Sequence, residues 1–169
     1  MRWLIYAGIF AGAVILIVVL VGLALPRAHV ISRHASYRQS PAAVYALIAG
    51  PQNWRPDVAK WEEIPNPGGR KRWKEYSGHR AVTFEETIAE EPRQYQTKIA
   101  DKNLPFGGSW TWNITPTETG CDVRITEAGE VYNPIFRFVG RFIIGYDRTI
   151  TDYLNALGKK FGETVIVEP

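Results

Sequence analysis

The run from Trp3 to Leu25, WLIYAGIFAGAVILIVVLVGLAL, contains no charged side chain, and this limits what the rest of the chain can be. At a rise of about 1.5 Å per residue, a helix of this length crosses a hydrocarbon core of roughly 30 Å with a little to spare. A signal peptide has a shorter apolar region, about 7–15 residues, followed by a small-x-small cleavage site. Here the run is longer and ends in GLALPRAHV, where Pro26 and Arg27 obstruct such a site. An uncleaved anchor is therefore favoured over a cleaved leader. The chain divides into a transmembrane helix, 1–26, and a single domain, 27–169, held beside a bilayer. Gly8 and Gly12 form a GxxxG pair that could bring two such helices together as a homodimer. The plainer reading of the pair is that glycine is common in membrane helices. Arg27, Arg33 and Arg38 follow the helix, against Arg2 and the terminal amine before it, so the positive-inside rule tips the domain toward the cytoplasm. Cys121 is the sole cysteine and leaves no internal disulfide to form, which fits a reducing compartment.

The chain carries six Trp, eight Tyr and seven Phe, enough for the domain to bury a large core or to line a cavity. Its net charge is only +3. The densest basic stretch, Arg70-Lys71-Arg72 with Lys74, lies beside Gly68-Gly69 and reads first as a solvated hairpin tip, then as a contact for anionic headgroups. No longer basic stripe exists, so no nucleic-acid partner is expected.

Val30 to Arg38 alternates as a strand does. Ser40-Pro41 supplies an N-cap and a first helical residue for a helix through Ala49, and a short turn or helical piece containing Trp54 follows over Pro51–Val58. Strands are predicted at Lys60–Ile64, Lys71–Tyr76, Ala81–Ala89, Gln94–Asp101, Ser109–Thr115 and Cys121–Val131, separated by Gly, Pro and Asn turns. Consecutive hairpins of this kind build an antiparallel sheet. After Asn133-Pro134 the apolar period lengthens, and Ile135, Phe138, Val139, Phe142, Ile143, Tyr146, Ile150, Tyr153, Leu154, Leu157 and Phe161 trace one stripe of a long helix, with Gly140 and Gly145 as sites for a bend.

Strand, helix pair, six strands and a long final helix is an α+β order of the helix-grip kind. The segments SRHASYRQSPAAVYALIAGPQNWRPD and LPFGGSWTWNITPTETGCDVRITEAGEVYNP, with the final helix, resemble the START-like or SRPBCC superfamily in its polyketide cyclase/dehydrase-type branch. The resemblance implies a curved antiparallel sheet wrapped around the C-terminal helix, with an apolar cavity between them. It implies no cofactor. It leaves the role open, because the superfamily holds lipid and hormone binders, cyclases, dehydratases and coenzyme Q partners.

The strand registers name the cavity walls. Phe84, Tyr95, Trp110, Trp112 and Ile125 each lie on an apolar strand face, and Phe142 lies on the helical stripe. Two carboxylates, Glu127 and Glu86, share register with apolar sets. A carboxylate in such a place must be paired, hydrated or protonated, so each is a candidate catalytic acid/base or polar ligand anchor. The plainer reading is a carboxylate near a strand end, reaching water or pairing with an arginine. The loop carrying Phe106 is read as an ordinary hairpin loop, with a lid over the cavity mouth as the alternative. His29, His34 and His79 are scattered, with no metal-ligand spacing, and Cys121 has no recognisable catalytic partner.

Three functions follow in order of preference. The first is a membrane-anchored binder of a hydrophobic small molecule or lipid. The others are an accessory protein of a membrane complex and a cyclase or dehydratase using Glu127 or Glu86. The accessory reading predicts a large exposed apolar patch and an undersized interior.

Overall fold

A computed structural model describes residues 2–169. Helix α1 covers Arg2–Ala24, 23 residues with a mean hydropathy of 2.9 over its most apolar stretch, long and apolar enough to cross a membrane. Its large side chains stand clear of the domain, and Gly22 is its one buried residue. Gly8 and Gly12 meet no neighbouring atom within the chain.

Strand β1 (Ala28–Tyr37) follows α1 after a three-residue link, and α2 (Pro41–Ala49) follows β1. The α2 cap is the one its sequence predicts: Ser40 Oγ accepts from the Ala43 amide at 3.3 Å, with Pro41 opening the helix. Of the turn or short helical piece expected over Pro51–Val58, the turn forms. Residues 51–59 are turns, and Gln52 caps α2, donating to the Ile48 and Gly50 carbonyls at 2.6 and 3.1 Å.

Strands β2 (Lys60–Glu63), β3 (Arg72–Ser77), β4 (Arg80–Glu90), β5 (Gln94–Ile99), β6 (Phe106–Thr117) and β7 (Gly120–Val131) form an antiparallel meander. β1 pairs with β7, so the sheet order is β1-β7-β6-β5-β4-β3-β2. The two faces divide by alternation. Hydrogen-bonded polar pairs such as Ser32–Thr126 and Gln96–Thr111, both at 2.8 Å, cover the outer face. The inner face carries Ala35, Tyr37, Tyr95, Trp112, Ile114, Val123 and Ile125, all buried. The free edge of β1 is partly covered by the C-terminal tail, where His34 and Glu168 exchange backbone hydrogen bonds at 2.9 Å.

The C-terminal helix is the main departure from expectation. Sequence periodicity predicts one long helix from Asn133 to Phe161, with Gly140 and Gly145 as sites for a bend. The chain instead makes a short helix α3 (Pro134–Val139), a π-helical turn (Gly140–Ile144) and a separate helix α4 (Arg148–Lys160). Gly145, at φ +81°, breaks the path with a conformation that glycine adopts without strain. Only α4 is gripped by the sheet, through Ile150, Tyr153, Leu154 and Leu157. Arg33 on β1 holds its start by donating to Asp147 at 2.8 Å, and the Tyr37 hydroxyl donates to the Leu154 carbonyl at 2.8 Å.

Candidate functional site

Between α4 and the sheet lies a cavity of about 90 Å³, lined by Phe84, Tyr95, Trp110, Trp112 and Ile125 among others. Five of the predicted wall residues therefore meet in one place. The sixth does not. Phe142 lies on the π turn, 59% exposed, and lines no part of the cavity. The extra residue in a π turn rotates the side chains around it out of the 3.6-residue phase, and Phe142 leaves the stripe.

The polar groups of the cavity come from elsewhere. Arg55 reaches in from the turn after α2, donates to Glu75 at 3.1 Å and lies over the Tyr153 ring at 5.2 Å from its centroid. Its other partner is Asp57. The Trp73 indole donates to the second Glu75 oxygen at 3.0 Å. The Tyr153 hydroxyl donates to the Gln52 side-chain oxygen at 3.2 Å. Burial works against the charge on Arg55, but the carboxylates of Glu75 and Asp57 outweigh it and raise its pKa. Burial also pushes the hydroxyls of Tyr95 and Tyr153 well above the ordinary tyrosine range, with Glu86 adding to the effect on Tyr95. The cavity is thus apolar at one end and closed by a compensated ion pair at the other. Trp112 Nε1, in the cavity wall, is buried with no hydrogen-bond partner.

A second, larger space adjoins the first. An apolar groove of about 510 Å³ runs between the sheet and the α3–π segment, lined by Val82, Ile99, Phe106, Phe136, Val139 and Ile144. Phe84, Trp110 and Thr149 line both spaces, so the Phe84–Trp110 edge contact, 5.9 Å between centroids, is the partition between them. Glu127 belongs to the groove and not to the inner cavity. Both of its oxygens are engaged: one accepts from Trp110 Nε1 at 2.8 Å, and the other lies 3.2 Å from His29 Nε2. The His29 ring stacks on Tyr146 at 3.9 Å and covers Gly129, where any Cβ would overlap the imidazole.

Glu86 lines neither space. It sits at the β4 irregularity between Glu86 and Ile88, and its charge raises the Tyr45 and Tyr95 hydroxyl pKa values as a secondary cause behind burial. Phe106 lines the groove from the first residue of β6. The basic stretch is spent locally. Lys71 donates to the Ala49 carbonyl at 2.6 Å and lies over Trp61 and Trp73, Arg72 pairs with Glu85, and Arg70 donates to the Thr87 carbonyl.

A curved antiparallel sheet closed by a C-terminal helix over an apolar interior defines a helix-grip domain of the hydrophobic-ligand-binding class. The sequence model of the family described as polyketide cyclase / dehydrase and lipid transport matches residues 29–161, and the chain belongs to that family. Solved structures share the fold at low identity. Norcoclaurine synthase from Thalictrum flavum superposes with a TM-score of 0.61 at 12% identity, over 85% of this chain and 91% of that one. Protein MLL2253 from Mesorhizobium loti gives 0.58 at 16%, over 80% and 97%. The di-domain aromatase/cyclase StfQ of the steffimycin biosynthetic pathway gives 0.60 at 11%, over 79% of this chain and 52% of that one. No curated protein matches the sequence significantly.

Proposed function

We propose that the chain is a membrane-anchored binding protein for a hydrophobic small molecule or lipid, with α1 as the anchor. One observation carries this reading: the apolar groove of about 510 Å³ adjoins the inner cavity, and Phe84, Trp110 and Thr149 line both. An inner cavity of about 90 Å³ is too small for such a ligand by itself, since ligand pockets run to roughly 300–1,000 Å³. The groove is large enough, and rotation of Trp110 joins the two. Phe84, Trp110, Trp112, Tyr95 and Ile125 then form the walls. Glu127 acts as the anchor of Trp110, and the orphan Trp112 Nε1 suits a ligand with one acceptor at its inner end. Tethering beside the bilayer keeps the site near a poorly soluble ligand and raises its local concentration.

The enzymatic alternative assigns Glu127 to proton transfer, with His29 beside it in the groove. Both Glu127 oxygens already hold partners, which favours a holding role over a free base. The accessory-protein alternative draws on the small interior and on the exposed apolar segment around the π turn.

The test is mass spectrometry of an organic extract from the gently purified full-length chain. A reproducible lipid or isoprenoid, retained by the native protein and lost in Ile125→Trp and Trp110→Ala, supports the reading. A folded protein with no species that depends on these residues overturns it in favour of the accessory role. A compound chemically converted by the native chain, but bound unchanged by Glu127→Gln, supports the enzyme.

A further inference from the structure

We infer that the α3–π segment is a second membrane contact, lying in the headgroup–acyl boundary of the bilayer that α1 crosses, so that the groove opens toward lipid. The inference rests on the reading of α1 as an anchor.

The segment has the wrong surface for water. Ile135 and Phe136 on α3, and Phe142, Ile143 and Ile144 on the π turn, are 41, 44, 59, 69 and 53% exposed. They are contiguous in sequence with a wall of the groove, since Phe136, Val139 and Ile144 line it. Single exposed apolar residues are ordinary, but a cluster of large ones marks an interaction site.

Its position selects the bilayer as the occupant. Gly22 of α1 packs against the Pro134 backbone so closely that no Cβ could fit between them. Gly22 lies three residues before Leu25, so at about 1.5 Å per residue it sits some 4–5 Å inside the end of the apolar run. An element touching it is therefore at the depth where interfacial helices lie, roughly 5–10 Å into the boundary. The joint is built for that environment. The guanidinium of Arg137, 3% exposed, donates to the Leu25 carbonyl at 2.8 Å and completes the C-terminus of α1. A helix-end carbonyl needs a partner, and one supplied by the protein matters more where little water reaches. Arg27 and Arg141, both exposed, flank the segment where lipid phosphates lie. The opposite pole is polar: β7 runs from its Val131 end, bonded to Arg27, to the exposed turn at Glu118 and Thr119.

Depth-dependent fluorescence quenching tests this on the full-length chain. Single cysteines are introduced at Phe142, Ile143, Ile15 and Thr119 and labelled with an environment-sensitive fluorophore. The chains are reconstituted in 3:1 phosphatidylcholine–phosphatidylglycerol vesicles. The buried Cys121 is left in place, and the parent chain reports its background. Labels at Phe142 and Ile143 are expected to be quenched by lipids carrying a shallow spin label and to lose most of the iodide quenching seen at Thr119. A further single cysteine at Ile144, labelled in the same way, is expected to be shielded from iodide and to gain iodide access when Phe142→Asp and Ile143→Asp are added. Iodide quenching at Phe142 and Ile143 equal to that at Thr119, with Ile15 still quenched from within the bilayer, overturns the second contact and leaves the anchor standing. Iodide access at Ile15 overturns the anchor and this inference together.

Discussion

The Trp110 indole nitrogen donates to the Glu127 carboxylate at 2.8 Å across neighbouring strands, and so the side chain that separates cavity from groove is held by the groove's own acid. The carboxylate is held in turn by His29, whose ring is clamped between Tyr146 and Gly129. The family match and the helix-grip fold support a fold of the hydrophobic-ligand-binding kind.

Glu127→Ala removes the acceptor of Trp110 and the partner of His29 at once. Losing this part-buried hydrogen bond to a charged acceptor is expected to destabilise the fold by about 1–3 kcal/mol. The Trp110 side chain, released, is expected to exchange more readily between rotamers. Urea unfolding followed by tryptophan fluorescence gives the first quantity, and acrylamide quenching of the native state reports the second. Glu127→Gln keeps an acceptor and is expected to lose less stability. Equal losses in the two variants would show that the charge, and not the hydrogen bond, holds the partition.

Glu75 tests the closed end of the cavity. It is 9% exposed and shared by Arg55 and Trp73. Glu75→Ala leaves a largely buried guanidinium short of a partner, and breaking a buried pair on one side costs about 3–5 kcal/mol. Asp57 retains part of the compensation, so the lower end of that range is expected. Joint replacement of Arg55 and Glu75 by Leu and Met is expected to recover most of the loss. Comparison of urea midpoints across the native chain and the two variants checks it.

The sheet was legible because its signals are local. Alternation from Val30 onward and the Gly, Pro and Asn turns place all seven strands within a few residues of their bounds, and Ser40 and Asn133 cap the helices as their side chains predict. The walls at Phe84, Tyr95, Trp110, Trp112 and Ile125 follow from the same alternation. What escaped depends on long-range packing. Arg55 and Glu75 lie twenty positions apart in a turn and a strand, and only the curvature of the sheet brings them together over Tyr153. His29 pairs with Glu127 because β1 joins the last strand, a pairing absent from the local sequence. Gly140 and Gly145 marked the bend in the final helix, but not that the apolar stripe ahead of Gly145 faces outward. Apolar periodicity reports an apolar partner, and for Phe142 and Ile143 that partner is not the sheet. The apolar character of Gly129's strand also hid its role, which is to leave room for an imidazole.

Gly129→Ala puts a methyl group where the His29 ring lies, with a Glu127 oxygen 3.0 Å away. The ring must leave its stack on Tyr146 or the strand must shift. A loss of about 1–3 kcal/mol is expected, as for other overpacked sites. His29→Ala is expected to absorb the added methyl, so the double variant should be more stable than the sum of its singles predicts. Strict additivity in the thermal unfolding of the four proteins would place the cost in the backbone of β7 instead.

The alkaline limb of stability should be steep. Burial pushes the Cys121 thiol from 9.0 up to about 11, with the Asp122 and Glu163 charges adding to it. Burial likewise raises the Tyr37, Tyr95 and Tyr153 hydroxyls. The native state therefore keeps a proton that the unfolded state gives up first. The contribution of the thiol is whole below pH 9.0 and is lost as the pH rises toward about 11. Cys121→Ala removes this group alone and is expected to flatten the decline across that window, while the tyrosines maintain it at higher pH. Urea midpoints taken across the window for both proteins check the sign. A native chain whose stability rises there, or a Cys121→Ala profile parallel to it, would mean that the thiol does not titrate as a buried group.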